Sequence, residues 1–215
     1  NTCMKFIEYD PNYNYDDSDD EEMDDYSDDE YSEGEYSDDD DDTSWKVRRA
    51  AVKVVRAFIM SRPELLGDFY DNCSSALIAR FKEREDSVKL DIVNCYEDLL
   101  RATILVSKNK SDAESKLLTR SGMTSPGIRR LQSNEMRAAN EMDEVIRETS
   151  KLLKNKKTST KVRIALFTML QQLAIATKSE LAQYFPSLIN DIVSALKDRN
   201  GTLKLQALVF LRLSA

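Results

Sequence analysis

The sequence predicts an all-α solenoid, a stack of antiparallel helix pairs, carrying one long acidic segment that cannot fold on its own. Three observations predict it. Apolar residues recur at intervals of three and four over most of the chain after Thr43, the spacing that gathers side chains on one face of a helix. Similar segments return at an interval of 41 residues. Charge is also divided unevenly: residues 1–42 carry 20 Asp or Glu against the single basic Lys5, so the total of −8 leaves +11 for residues 43–215.

The elements follow in order. Cys3 to Tyr9 reads as the last turn of a helix that began before the sequence does, ended by Asp10-Pro11 because a residue before proline avoids the helical region. Residues 10–43 form the acidic segment. Its Asp, Glu, Ser, Tyr and Gly offer almost nothing apolar except Met23, too little to offset the backbone entropy of folding, so disorder is expected there. From Lys46 to Met60 the apolar positions Val47, Ala50, Ala51, Val54, Ala57 and Phe58 predict an amphipathic helix. Pro63, tolerated in a first helical turn, opens a second with Leu65, Leu66, Phe69, Tyr70, Cys73, Leu77 and Phe81 on one face. These two helices are expected to pair.

Repeats decide the architecture. Trp45-Lys-Val-Arg, Asp86-Ser-Val-Lys, Thr160-Lys-Val-Arg and Gly201-Thr-Leu-Lys superpose, and their anchors Val47, Val88, Val162 and Leu203 lie 41, 74 and 41 residues apart. Four and seven residues after each anchor come Ala51 and Val54, Ile92 and Cys95, Leu166 and Met169, Ala207 and Phe210, all expected to face a core. A basic residue follows every anchor, as Arg48, Lys89, Arg163 and Lys204. Five before it stand Asp42, Glu83 and Asp198, with Lys157 the exception. Two helices per period of about 41 is the range of HEAT repeats; the competing reading is an ordinary helical bundle. The longer middle interval holds one period plus an insertion, placed at 106–138, where Gly122, Pro126 and Gly127 gather, and read as a mobile loop with a short helix. Helices resume around Met142 to Leu153, Val162 to Ala176 and Leu181 to Leu196. The expected organisation is therefore the end of a preceding repeat at 1–9, the acidic segment at 10–43, HEAT repeats at 44–105, the inserted loop at 106–138, and HEAT repeats at 139–215.

The sequence lacks the residues for several chemistries. The sequence has no histidine, the commonest general base and metal ligand. Cys3, Cys73 and Cys95 form no C-x-x-C pair and read as reduced thiols of an intracellular protein. The acidic run lacks the glycine and glutamate spacing of an EF-hand loop, and paired catalytic carboxylates need a rigid cleft that such a run does not supply. No catalytic, cofactor-binding or metal-binding residue is predicted. No apolar run approaches the roughly 18 residues of a membrane span, so a soluble chain is expected. Ser18, Ser27, Ser32 and Ser37 each have an acidic residue three positions on, the context acid-directed kinases accept; each phosphate would add about −1.5 to −2, and the same serines serve equally as solvating residues. On the first helix Lys46, Arg49, Lys53 and Arg56 form one basic stripe, a surface for an acidic partner, for the chain's own acidic segment, or for water alone. A tethered polyanion would compete with phosphates for the basic helices, so nucleic acid is not an expected partner.

Tyr9-Asp-Pro-Asn-Tyr-Asn-Tyr-Asp-Asp17, Asp29-Glu-Tyr-Ser32, the run Asp38 to Asp42, Ser44-Trp-Lys-Val-Arg-Arg-Ala-Ala51 and Ala76-Leu-Ile-Ala-Arg-Phe-Lys-Glu-Arg-Glu85 resemble the cullin-associated and neddylation-dissociated protein family. The resemblance implies an all-HEAT scaffold, cytoplasmic and nuclear, that wraps an unmodified cullin and its RING subunit. Such a scaffold is expected to act in assembly and substrate-receptor exchange of cullin–RING ubiquitin ligases, without cofactor, membrane or small-molecule substrate. It would place this stretch in the amino-terminal third, on the side of the cullin's carboxy-terminal region, with the adaptor-displacing hairpin beyond Ala215. The alternative on the same architecture is an importin-type nuclear transport receptor, whose acidic loop grips basic cargo.

Overall fold

The structure, a computed structural model, describes residues 2–9, 43–121 and 133–214. The described residues fold into an all-α repeat solenoid. Its helices are α1 (Thr2–Ile7), α2 (Ser44–Ser61), α3 (Leu66–Phe69), α4 (Ser75–Ala79), α5 (Asp86–Ser121), α6 (Asn134–Asn140), α7 (Met142–Lys154), α8 (Thr160–Thr177), α9 (Phe185–Lys197) and α10 (Gly201–Ser214). Short 3-10 turns at Pro63–Leu65 and Arg80–Lys82 and a π-helical turn at Tyr70–Ser74 join α3 and α4 into one helical run over 63–82.

Two layers result. The second helices of successive pairs, α2, α5, α8 and α10, stack side by side. The first helices, the 63–82 run, α7 and α9, form the other layer. Polar bonds fix the direction of both. Arg49 and Arg56 of α2 bond Asp91 and Asp98 of α5, each 42 residues on, so the two helices run parallel in register. Tyr184 O–H donates to Asp143 at 2.5 Å and Ser150 to Asp191 at 2.7 Å, each pair 41 residues apart, the same relation between α7 and α9 with the turn that leads into it. The buried apolar side chains make one continuous cluster from Met4 to Phe210, with Phe81 edge-on to Tyr96 at 5.9 Å and Phe210 between Phe167 and Phe185. Each Leu, Ile or Phe fully buried there stabilises by about 1.5–3 kcal/mol.

Three expectations are corrected. On α2 the buried side is Arg48, Ala51, Val52, Val55 and Ile59, whereas Val47, Val54 and Phe58 stand 41%, 42% and 50% exposed. The periodicity was right but its phase was turned, because α2 packs chiefly on α1 and α5 and no described helix covers its remaining side. The pairing expected between α2 and the 63–82 run is slight for the same reason: that run packs on α5 and α7. Lastly, the helix begun at Asp86 does not stop near Val106 but continues to Ser121, since no glycine or proline interrupts it before Gly122, and α6 starts at Asn134. Residues 122–132 lie outside the described residues, as does the segment 10–42 expected to be disordered.

A buried ion cluster pins the first two repeats together. The Arg48 guanidinium, 2% exposed, donates Nε to Glu83 Oε2 at 3.0 Å and Nη2 to Oε1 at 3.1 Å. Its Nη1 reaches Ser44 Oγ at 2.7 Å and the Tyr9 carbonyl at 3.2 Å. Glu83 also accepts the backbone N–H groups of Arg84 and Glu85 at 3.0 and 3.2 Å and pairs with Arg80. Burial alone would raise the Glu83 carboxyl, but the Glu85 N–H and the two guanidiniums outweigh it and hold it below the usual range. The recurrent basic position after the anchor and acidic position before it thus meet across one repeat boundary. At the next boundary Lys157 replaces the acid, and Lys89 turns to Asp86 at 3.1 Å instead.

A second polar cluster ties the 63–82 run to the helices beyond the insertion. Glu141 Oε2 accepts the Tyr96 hydroxyl at 3.1 Å, and Ser74 Oγ lies between Glu141 Oε1 and the Tyr70 carbonyl, 2.6 Å from the latter. Tyr70 O–H shares a hydrogen bond with Thr103 Oγ1 at 2.9 Å. The π turn sets Tyr70 and Ser74 at this junction. Burial pushes the Glu141 carboxyl above its usual range, and the Ser74 and Tyr96 hydroxyls only partly oppose that shift.

Both clusters have measurable consequences for stability. Arg48→Ala leaves a buried carboxylate short of its partner and should cost about 3–5 kcal/mol in urea unfolding. Glu83 titrates low, so its contribution is complete above the unfolded carboxyl value and fades as pH falls through the depressed folded one; Glu83→Gln should flatten the acid limb of the stability curve. Glu141 titrates high, so its contribution is largest in acid and is lost as pH rises through the folded value. Glu141→Gln should therefore leave stability at pH 7 within about 1 kcal/mol of the parent or raise it, whereas Glu141→Ala, which orphans the buried Tyr96 hydroxyl, should cost about 1–3 kcal/mol.

Candidate functional site

The basic stripe lies on α2, and its four cations have different fates. Arg49 Nε bonds Asp91 Oδ2 at 2.7 Å, and Arg56 Nε bonds Asp98, whose carboxylate is 8% exposed. These arginines join α2 to α5 and are largely spent within the fold. Pairs so near the surface contribute about 0.2–1 kcal/mol each and matter more for register than for stability. Lys46 is exposed, with its ammonium 5.6 Å from the centre of the Trp45 ring, a cation–π contact, while the indole packs partly against the core. Lys53 is exposed between the two bonded arginines, with no ion-pair partner among the described residues.

Asp91 and Asp98 are seven residues apart, as are Arg49 and Arg56. That matching spacing one period on was readable in the sequence and was missed. Glu141 left no such sign. The four serines of the acidic segment, Ser18, Ser27, Ser32 and Ser37, lie outside the described residues.

Nothing else gathers into a reactive constellation among the described residues. Among the described residues no group of three or more His, Cys, Asp or Glu is placed to hold a metal ion. Cys95 is fully buried and its thiol is pushed up to about 12 by burial, with Asp98 adding to the shift, so no nucleophilic thiolate forms near neutrality. No described helix is long and apolar enough to cross a membrane. The arrangement offers what a stacked solenoid offers: long rows of exposed side chains at fixed spacing on parallel helices, suited to holding another protein.

No family model matches the chain. Curated relatives do. The sequence is 40% identical over 213 residues to cullin-associated NEDD8-dissociated protein 1 of Drosophila melanogaster, which covers 97% of this chain and 16% of that protein. It is 38% identical over 218 residues to the Arabidopsis thaliana protein of the same name, covering 99% and 16%. Against cullin-associated NEDD8-dissociated protein 2 of Mus musculus it is 41% identical over 214 residues, covering 98% and 16%. The chain thus spans 16% of the length of these relatives. With identity of this order sustained from end to end on a helical-repeat fold, the chain belongs to the cullin-associated NEDD8-dissociated protein family.

Proposed function

We propose that the chain is part of a protein-binding scaffold for cullins, without catalytic activity of its own. The observation that carries the reading is the identity of 38–41% over 97–99% of the chain to proteins named for association with cullins and dissociation from NEDD8. In the whole protein this stretch contributes repeats at 44–105 and 139–215 around an insert, and engages a cullin with its RING subunit while the cullin carries no ubiquitin-like modifier. The complex serves assembly and substrate-receptor exchange of cullin–RING ubiquitin ligases in the cytoplasm and nucleus. The names of the relatives favour this reading over an importin-type receptor.

The physical basis is contact rather than chemistry. A row of parallel second helices presents the same positions repeatedly, so weak contacts add along an extended partner. Lys46 and Lys53 are the stripe residues that project for such contacts; Arg49 and Arg56 position them by anchoring α2 to α5. Charges at an interface rim mainly raise the association rate and salt sensitivity.

A full-length protein carrying this sequence should capture an unmodified cullin–RING complex and not the NEDD8-modified one. Equal capture of both, or capture of a basic nuclear cargo in place of the cullin, would sink the proposal. Lys46→Glu with Lys53→Glu should slow association by about three- to tenfold at low salt, read by surface plasmon resonance, with little effect on the dissociation rate.

A further inference from the structure

The turns that join the first and second helix of each pair lie along one edge of the solenoid, because the second helices run parallel and in register. Lys82 and Lys89 of one turn and Lys151 and Asn155 of the next line a common recess of about 250 Å³, which places neighbouring turns side by side. This edge is basic. Lys82, Lys154, Lys156, Lys157, Lys161 and Arg199 are all exposed on it, and among the described residues none has a carboxylate within ion-pair reach. The acids there are fewer and partly engaged: Glu83 is buried under Arg48 and Arg80, Asp86 holds Lys89, Glu148 holds Lys151, Glu85 accepts the Ser87 hydroxyl and Asp198 accepts the Asn200 N–H. The stripe on α2 differs, since half of its cations are bonded to Asp91 and Asp98.

The acidic segment is rooted at the same edge. It replaces the turn between α1 and α2, so it leaves and re-enters the fold where the other turns lie. Arg48 Nη1 holds both roots, the Tyr9 carbonyl and Ser44 Oγ, and the same guanidinium grips Glu83 of the next turn. Residues 10–42 contain 19 Asp or Glu and no Lys or Arg.

We propose that this basic turn edge is an anion-binding surface and that its occupant is the chain's own residues 10–42. Reach is sufficient. Half of the segment extended covers about 50 Å, whereas three stacked helix pairs span about 30 Å at 8–10 Å each. Tethering at both ends keeps the local concentration of acid high, so many weak lysine–carboxylate contacts suffice without a shaped pocket. Because these contacts are solvated, salt loosens them. An acidic segment of another protein has to compete with the tethered one for the same lysines.

The test is lysine acetylation kinetics, read by mass spectrometry on the full chain and on a variant with every Asp and Glu of 16–42 changed to Asn or Gln. Circular dichroism checks that both are equally helical. Lys53 is the control, close to the root of the segment but on the second-helix face. At about 50 mM salt, Lys82, Lys154, Lys156, Lys157 and Lys161 should react at least about threefold more slowly in the parent chain than in the variant, and the difference should vanish near 500 mM. Lys53 should react alike in both. Within the parent alone, raising salt should speed the edge lysines relative to Lys53. Equal edge reactivity in both chains overturns the proposal, as does protection of Lys53 to the same degree, which marks a diffuse acidic cloud. If edge reactivity is equal yet added polyglutamate protects those lysines, the surface takes an acidic partner and the assignment of its occupant is wrong.

Discussion

A helix pair of about forty residues has more apolar surface than its own two helices can cover, and the requirement that the neighbouring pair cover the rest governs this molecule. It explains why the buried residues form one continuous cluster from Met4 to Phe210 rather than several separate cores. It explains the parallel register of the second helices, since only a repeated offset brings the same apolar face to the next helix each time. Stability in such a stack is a sum over neighbouring interfaces, so a loss at one boundary is not recovered at another.

Polar groups decide how each boundary is aligned. Apolar contact has no direction, and helices held by it alone can slide by a turn at small cost. Between α2 and α5 the two Arg–Asp bonds and the buried Arg48–Glu83 pair forbid that slide, because each would lose a partner. Between the 63–82 run and the helices after the insertion the same role falls to Glu141, which two hydroxyls reach at once. Further along, Gln171 Nε2 donates to the Gln206 carbonyl at 2.9 Å.

Much of this was legible in the sequence, and the exceptions have physical causes. The anchors Val88, Val162 and Leu203 are all buried at 1% exposure or less, as the repeat demanded, while Val47 is exposed because no second helix precedes α2 among the described residues. Periodicity finds a helix's apolar residues, but which arc of them is covered depends on how many neighbours the helix has. The basic stripe was legible as geometry; that Arg49 and Arg56 bond Asp91 and Asp98 one period on was not read from it. Glu141 was beyond reach: its carboxylate meets Ser74 and Tyr96, 67 and 45 residues back, through contacts no local pattern encodes. The extension of α5 past Val106 shows the opposite bias: a run of small and polar residues reads as a loop, although it holds no glycine or proline to break a helix before Gly122.

The unequal distribution of these bonds gives the stack an uneven compliance. Charged cross-links brace α2 against α5, and an amide bond braces α8 against α10, but among the described residues no side-chain hydrogen bond crosses directly from α5 to α8. That boundary rests on shape and apolar contact, which resist separation well and shear poorly. A long, stiff partner laid along the second helices would therefore meet a stack whose α2–α5 and α8–α10 boundaries are locked against sliding by polar bonds, while the α5–α8 boundary relies on apolar packing to keep its register.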